Sequence, residues 1–181
     1  MDDADRHARL EDWFRAYGDR VLAYLLHRTD SDTAQDVLQE VFVIAFRKAN
    51  VVPEPAIGWL LATARRVLAN THRGARRREQ LTVRLTEHSE HSEPSGQVGH
   101  TAEDDSSVAV AEALARVSPA DREVLTLSAW YELTTDEAAA ALGCSRSAYS
   151  VRLHRARRRL AERLATAGFP IPSRLTEAVN E

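Results

Sequence analysis

At 181 residues with 44% hydrophobic content, the chain can form one medium domain or two small ones around a real core. No apolar stretch approaches the ~20 residues that span a bilayer, the start MDDADRHARLEDW lacks the basic-then-apolar order of a secretory signal, and the single cysteine, Cys144, excludes a disulfide framework and a cysteine-cluster zinc site. The net charge of -3 hides segregation: seven acidic residues and no Lys or Arg lie between Thr86 and Glu112, whereas Arg73 to Arg78 and Arg152 to Arg163 are dense in arginine. These features point to a soluble cytoplasmic protein.

The first half reads as helices. Leu10, Trp13, Phe14, Tyr17, Val21 and Leu25 recur at three- and four-residue steps, the period of an amphipathic helix. A second helix is predicted from about Asp32, read as its N-cap with Asp36 in the first turn, to Ala49. Val37, Leu38, Val41, Ile44 and Ala45 mark its inner face. Pro53 and Pro55 break the chain in VVPEPAIG. A third helix begins near Ile57 and runs through WLLATARRVLANTHRGARRR, with Trp59, Leu60, Ala64, Val67 and Leu68 turned inward. No segment alternates apolar and polar residues over strand length, so this half is all-α.

From about Thr86 to Ser107 the chain is polar, acidic and interrupted by Gly and Pro, with too little apolar surface to offset ordering, and is read as a flexible linker. Its His88-x-x-His91 pair and His100 are read as solvated linker histidines, because no rigid scaffold would hold them in metal geometry.

The second half is helical again. Val108 to Val117 forms one helix, and Ser118-Pro119 with Glu123 gives the next an N-cap, a proline at its first position and an acidic first turn. That helix carries Val124, Leu125, Leu127 and Trp130. A short helix from Thr135 to Leu142 opens on Asp136 and Glu137 and stops at Gly143. Cys144 is a small packing residue in the turn, with a redox sensor as the alternative. The last helix runs from Ser145 to about Ala165.

A short helix, a Gly-containing turn and a longer basic helix is the helix-turn-helix order. At 100° per residue, Tyr149, Leu153, Ala156 and Leu160 share a narrow apolar arc, while Ser147, Val151, His154 and Arg158 lie opposite, flanked by Ser150 and Arg155. A solvated surface helix would also be amphipathic; the turn before this one and its nearly acid-free run favour a helix that reads the DNA major groove. The N-terminal end of such a helix meets base edges, which singles out Arg146, Ser147 and Ser150, and the arginines beyond it, Arg155, Arg157 and Arg158, suit phosphate.

Two further segments narrow this reading. Asp32 to Phe42, DTAQDVLQEVF, resembles the "AEDLVQEVF" signature of bacterial RNA polymerase sigma factors. Trp59 to Arg66, with Asn70 and Arg73 beyond it, looks like the promoter-melting segment that follows that signature. The stretch SPADREVLTLSAWYELTTDEAAAALGCSRSAYSVRLHRARRRL resembles the sigma domain that recognises the minus-35 element. Together they cover about residues 8–80 and 108–166, and the two-domain plan is similar to the extracytoplasmic-function (ECF) group of the sigma-70 family.

The resemblance implies an all-α chain of two small helical domains: residues 1–85 for polymerase docking and the minus-10 element, an acidic linker over 86–107, a helix-turn-helix domain over 108–168, and a tail over 169–181. Asp36, Leu38, Gln39, Glu40 and Phe42 match positions where the family docks on the clamp helices of the polymerase largest subunit; a solvated acidic face with Phe42 in the core is the alternative. The loop from Ala49 to Ile57 matches the one that captures an unstacked minus-10 base, placing Asn50, Val51 and Val52 at the DNA. Arg65, Arg66, Asn70 and Arg73 would hold the opened strand or flanking phosphates. Trp59 is either a stacking wedge or a core residue. For the minus-35 element the implied contacts are Arg146, Ser147, Ser150, Val151, Arg152, His154, Arg155 and Arg158.

Implied partners are core RNA polymerase (clamp helices and beta-subunit flap), promoter DNA and an anti-sigma factor, with no membrane insertion. The acidic linker would run through a basic polymerase channel. No cofactor, metal or catalytic group is expected, since polymerase performs the phosphoryl transfer. Three departures from the family pattern stand out: a short proline-rich loop at Val51–Pro55, Ala148 to Val151 where Thr-Val-Lys-Ser is usual, and Gln35 for the usual glutamate. An autonomous DNA-binding regulator or a nucleic-acid-modifying enzyme would not need the Asp36–Phe42 segment together with the Arg65–Arg78 patch.

Overall fold

The computed structural model describes residues 2–85, 112–131 and 133–166, with the backbone alone at 78–85 and 130. The expected linker, the linker histidines, the start of the helix predicted from Val108, and the tail lie outside the described residues. The chain divides into two compact units, Met1–Val98 and Gly99–Glu181.

Among the described residues, the first unit packs α1 (Asp3–Leu26), α2 (Ser31–Arg47) and α3 (Ile57–Leu85) together, each on the other two. Asp2 caps α1 by accepting from the Asp5 amide. Asp30 caps α2 by accepting from Thr33, so the cap lies two residues before the predicted Asp32, and Asp32 rather than Asp36 occupies the first turn. That backbone hydrogen bond holds the Asp30 carboxyl below its usual range. The core is contributed by Trp13, Val21 and Leu25 of α1, Val37, Val41 and Ala45 of α2, and Leu60, Leu61, Ala64, Val67 and Leu68 of α3. The inward periodicity of each helix is thereby accounted for, with one exception. Phe14 belongs to the apolar arc of α1 but is 54% exposed, because α1 and α2 leave an open groove there.

Among the described residues, the second unit has a helical stretch over 112–116, followed by α4 (Pro119–Trp130), α5 (Thr135–Leu142) and α6 (Arg146–Thr166). Ser118 caps α4 with Pro119 in its first turn, and the acidic residue of that turn is Asp121, not Glu123. Arg122 reaches back to the carbonyls of Leu114 and Ala115, satisfying the C-terminal end of the preceding helical stretch. The core joins Ala113, Val117 and Leu125 to Ala156, Leu160 and Leu164, with Leu114 and Leu153 packed against it.

The α5-to-α6 turn is fixed at both ends. A capping box between Thr134 and Glu137 starts α5. At its end Gly143 takes φ 64°, while its own amide bonds to Ala140 and that of Cys144 to Ala139, the paired bonds of a Schellman stop. A Cβ at Gly143 would meet nothing within 4 Å, so a side chain costs only backbone strain. Gly143→Ala should therefore destabilise this unit by about 1 kcal/mol, and Gly143→Asn by less. Thermal unfolding of the two variants checks this order.

Candidate functional site

Three surfaces carry the residues singled out in the sequence. The first lies along α2. Its 3.6-residue repeat turns Val37, Val41 and Ala45 inward and leaves Gln35, Asp36, Gln39 and Glu40 exposed, with Leu38 half-buried between the two faces. Phe42 is 6% exposed and stands edge-on to Phe14, their ring centroids 5.0 Å apart. The exposed member of this pair is Phe14. A groove of 620 Å³ opens beside it, walled by Leu10, Leu38, Val43 and Phe46 as well as the two phenylalanines. Val43 is also exposed. The amides of Gln35 and Gln39 border this apolar groove, and the exposed carboxylates of Asp36 and Glu40 lie on the same helix, chemistry suited to a partner helix that carries both basic and apolar side chains.

The second surface combines the α2–α3 loop with one face of α3. Ala49 and Val52 are buried, leaving Asn50 and Val51 at the tip, where Val51 is 68% exposed. The burial of Val52 differs from its expected place at the DNA: its side chain anchors the loop to the core. Arg9 of α1 donates to the carbonyls of Ala49 and Val52, and Trp13 donates to Glu54. On α3 the core residues Leu60, Leu61, Ala64, Val67 and Leu68 occupy one arc, while Arg65, Arg66, Asn70, Arg73, Arg76 and Arg77 are exposed on the other. Arg66 donates to Thr63 at 3.2 Å, and Arg73 donates to the Asn70 side-chain oxygen. Since Glu79 is the only acidic residue in α3, this face is positive over several turns. Trp59 is half-buried at its start.

The third surface is α6. Tyr149, Ala156 and Leu160 are buried, and Leu153 is half-buried, as the apolar arc requires. Burial pushes the Tyr149 hydroxyl above its ordinary range, opposed by its hydrogen bond with Ser128 and the charge of Arg157. Opposite lie Ser147, Val151, Arg155 and Arg158, all exposed, with Arg152 exposed and His154 half-buried. Ser145 accepts from the Ala148 amide and so caps the helix that presents this face. Arg146 approaches Asp136 of α5 at 3.4 Å, and the Ser150 hydroxyl bonds back to the Arg146 carbonyl. Arg158 lies 3.5 Å from Glu162, an exposed pair of little strength.

Arg157, expected at phosphate together with Arg155 and Arg158, is instead half-buried and donates to Ser128 of α4 at 3.2 Å. At 100° per residue it falls at one edge of the buried arc, with Arg159 at the other. Arg159 bonds both carboxylate oxygens of Asp121 at 2.9 and 2.8 Å, and Ser118 donates to the same carboxylate at 2.8 Å. These two arginines hold α6 on α4; Arg155 and Arg158 point away from that contact. Sequence reasoning missed Arg159 with Asp121, and Arg9 with Glu54. Their spacings, 38 and 45 residues, carry no local periodicity.

Among the described residues no helix is long and apolar enough to cross a membrane, and no group of three His, Cys, Asp or Glu side chains could hold a metal ion.

Comparison with known families matches "Sigma-70 region 2" over residues 13–78 and "Sigma-70, region 4" over residues 107–160. Comparison with curated proteins finds no match. Two of the solved structures that resemble the chain are the following. One is the sigma factor RpoE in complex with the anti-sigma factor NepR from Bartonella quintana, with TM-score 0.53 and 23% identity over 86% of this chain and 98% of that one. The other is CnrH in complex with the cytosolic domain of CnrY, with TM-score 0.58 and 22% identity over 91% of this chain and 95% of that one. At such identities the likeness speaks for the fold alone.

Proposed function

We propose that this chain, which carries sigma-70 region 2 followed by sigma-70 region 4 and so is built as a member of the sigma-70 family, is a sigma factor of the ECF type that directs core RNA polymerase to its promoters. The observation that carries this reading is the coexistence of both domains in one chain. A DNA-binding regulator needs only the helix-turn-helix; the region 2 match adds a domain with an acidic docking helix and a positive helical face.

In this mechanism the groups divide the work. Asp36, Gln39 and Glu40 offer carboxylates and an amide to basic residues of the polymerase clamp helices, and the groove beside Leu38 and Phe42 accepts apolar ones. Phe42 acts from beneath, as the support of Phe14, rather than as a direct contact. The beta-subunit flap is the expected second attachment, through the second unit.

On DNA, α6 enters the major groove of the minus-35 element. Arg155 and Arg158 neutralise phosphates; Ser147, Val151 and His154 face base edges, with Arg146 and Ser150 at the entry of the helix and the exposed Arg152 on its flank, toward the phosphate backbone. Val151 is apolar and 49% exposed, suited to a thymine methyl group. Downstream, Asn50 and Val51 at the loop tip meet a minus-10 base that has left the stack. Extraction costs a few kcal/mol, offset by contacts to the base and by Arg65, Arg66, Asn70 and Arg73 on the strand backbone. Trp59, half-buried, supports the start of α3.

The sigma-70 domains are non-catalytic, and bond formation belongs to the polymerase. The acidic stretch 86–107, through its carboxylates, is proposed to follow a basic channel of the polymerase, and an anti-sigma factor is proposed as the regulator of the chain. Assembly is the first test: the chain should co-elute with core polymerase at one copy per enzyme, and failure to associate at micromolar concentration overturns the proposal.

A further inference from the structure

We infer that Arg9, Trp13 and Glu54 form a clamp that fixes the α2–α3 loop in one conformation, making them positioning residues for base capture; the inference rests on the reading of this loop as the minus-10 contact. Nine residues, 48–56, connect α2 to α3 without helix. Burial of Ala49, Val52 and Ala56 ties them to the core and leaves Asn50 and Val51 protruding. Burial alone leaves the tip free to vary, because two residues between anchors retain several backbone states.

The guanidinium of Arg9 removes that freedom. Its Nη1 donates to the Ala49 carbonyl at 3.1 Å and its Nη2 to the Val52 carbonyl at 3.3 Å, the two carbonyls that bracket the tip. The same Nη2 reaches Glu54 Oε1 at 3.1 Å, and that oxygen also accepts from Trp13 Nε1 at 2.9 Å. Arg9 Cζ lies 4.8 Å from the Trp13 ring centroid, so the guanidinium makes a cation–π contact as well as hydrogen bonds. Arg9 and Trp13 are four residues apart on α1, hence on one face of a rigid helix. A planar fork with several donors suits this task; an ammonium could not hold both carbonyls in the same fixed geometry.

The strength of the clamp matches a positioning role. The Arg9–Glu54 pair is partly exposed, with side-chain exposures of 32% and 55%, and pairs of that kind add little to folding. Its effect falls on the loop. If the capture-competent conformation drops from dominant to about a tenth of the population, apparent affinity for the captured base falls about tenfold.

The test uses holoenzyme assembled from the full-length chain, with promoter DNA carrying each base in turn across the minus-10 element and a fluorescent base reporting opening. Arg9→Ala and Glu54→Ala should each lower open-complex formation about tenfold and blunt discrimination between bases. Affinity for core polymerase and the thermal midpoint should stay close to those of the parent chain. Arg9→Lys should fail to restore discrimination, whereas Glu54→Gln, which keeps an acceptor for Trp13, should recover more than Glu54→Ala. Wild-type opening and discrimination in both alanine variants, alongside loss in Asn50→Ala or Val51→Ala, would overturn the clamp and leave the loop reading intact. Unchanged discrimination in all four would overturn both.

Discussion

Reversing two charges on α2, Asp36→Arg together with Glu40→Arg, is expected to weaken binding to core polymerase by roughly a hundredfold or more while leaving the fold intact. The two carboxylates are four residues apart and exposed, one turn from each other along the helix. The inner face of the same helix is Val37, Val41 and Ala45, so the substitutions touch no core contact. Exposed substitutions of this kind change stability within about 0.5 kcal/mol. At the interface, by contrast, arginines would meet the basic residues that the docking face is built to receive. Like charges brought together there cost several kcal/mol. A fluorescence titration of labelled chain into core polymerase measures the effect. Unchanged affinity would remove α2 from the docking surface.

A comparable effect is expected on DNA from Arg155→Ala with Arg158→Ala. Both side chains are exposed on the side of α6 opposite Tyr149, Ala156 and Leu160. The contact of Arg158 with Glu162 is too exposed to withdraw it from phosphate. Each phosphate contact releases condensed counterions, so losing two should flatten the plot of log affinity against log salt by about 2. Holoenzyme binding to minus-35 duplex across a salt series measures that slope. Arg157→Ala is the control from the same helix: its guanidinium bonds Ser128, so its loss should lower thermal stability and leave the slope nearly unchanged. A slope equally reduced by Arg157→Ala would mean that the DNA face of α6 has been drawn on the wrong side.

Much of this architecture was legible in the residues, for local reasons. Helix periods follow from i, i+3 and i+4 apolar spacing, which is why the inner faces of α2, α3 and α6 could be drawn. The Gly143 stop follows from the ease of a left-handed backbone at glycine. Where two residues offer the same chemistry, local rules do not choose. Asp30 and Asp32 are both competent caps, and the choice of Asp30 sets the start of α2.

What the residues hid was long-range. Phe14 has the spacing of a core residue but faces a groove whose shape depends on where α2 passes. Val52 looked like a loop-tip residue, yet it is buried, since the loop folds back on α1. Arg157 and Arg159 lie in an arginine-dense run whose repeated residue type gives no local sign of which members pack. Only the positions of Ser128 and Asp121 on α4 assign those two to packing. In each case the deciding partner lies on another element, 29 or more residues away along the chain for the hydrogen-bonded pairs. The candidate surfaces were therefore foreseen as helix faces, and their supports were not.

Run-off transcription with purified core polymerase tests directly whether the chain directs promoter-specific initiation. Its templates should come from start sites mapped after the chain is overproduced. Core alone should give no specific transcript, core with the chain a defined one, and Asp36→Arg/Glu40→Arg should abolish it. A chain that binds the same promoter DNA tightly by itself, never associates with polymerase and leaves transcription unchanged would contradict the proposed sigma-factor role.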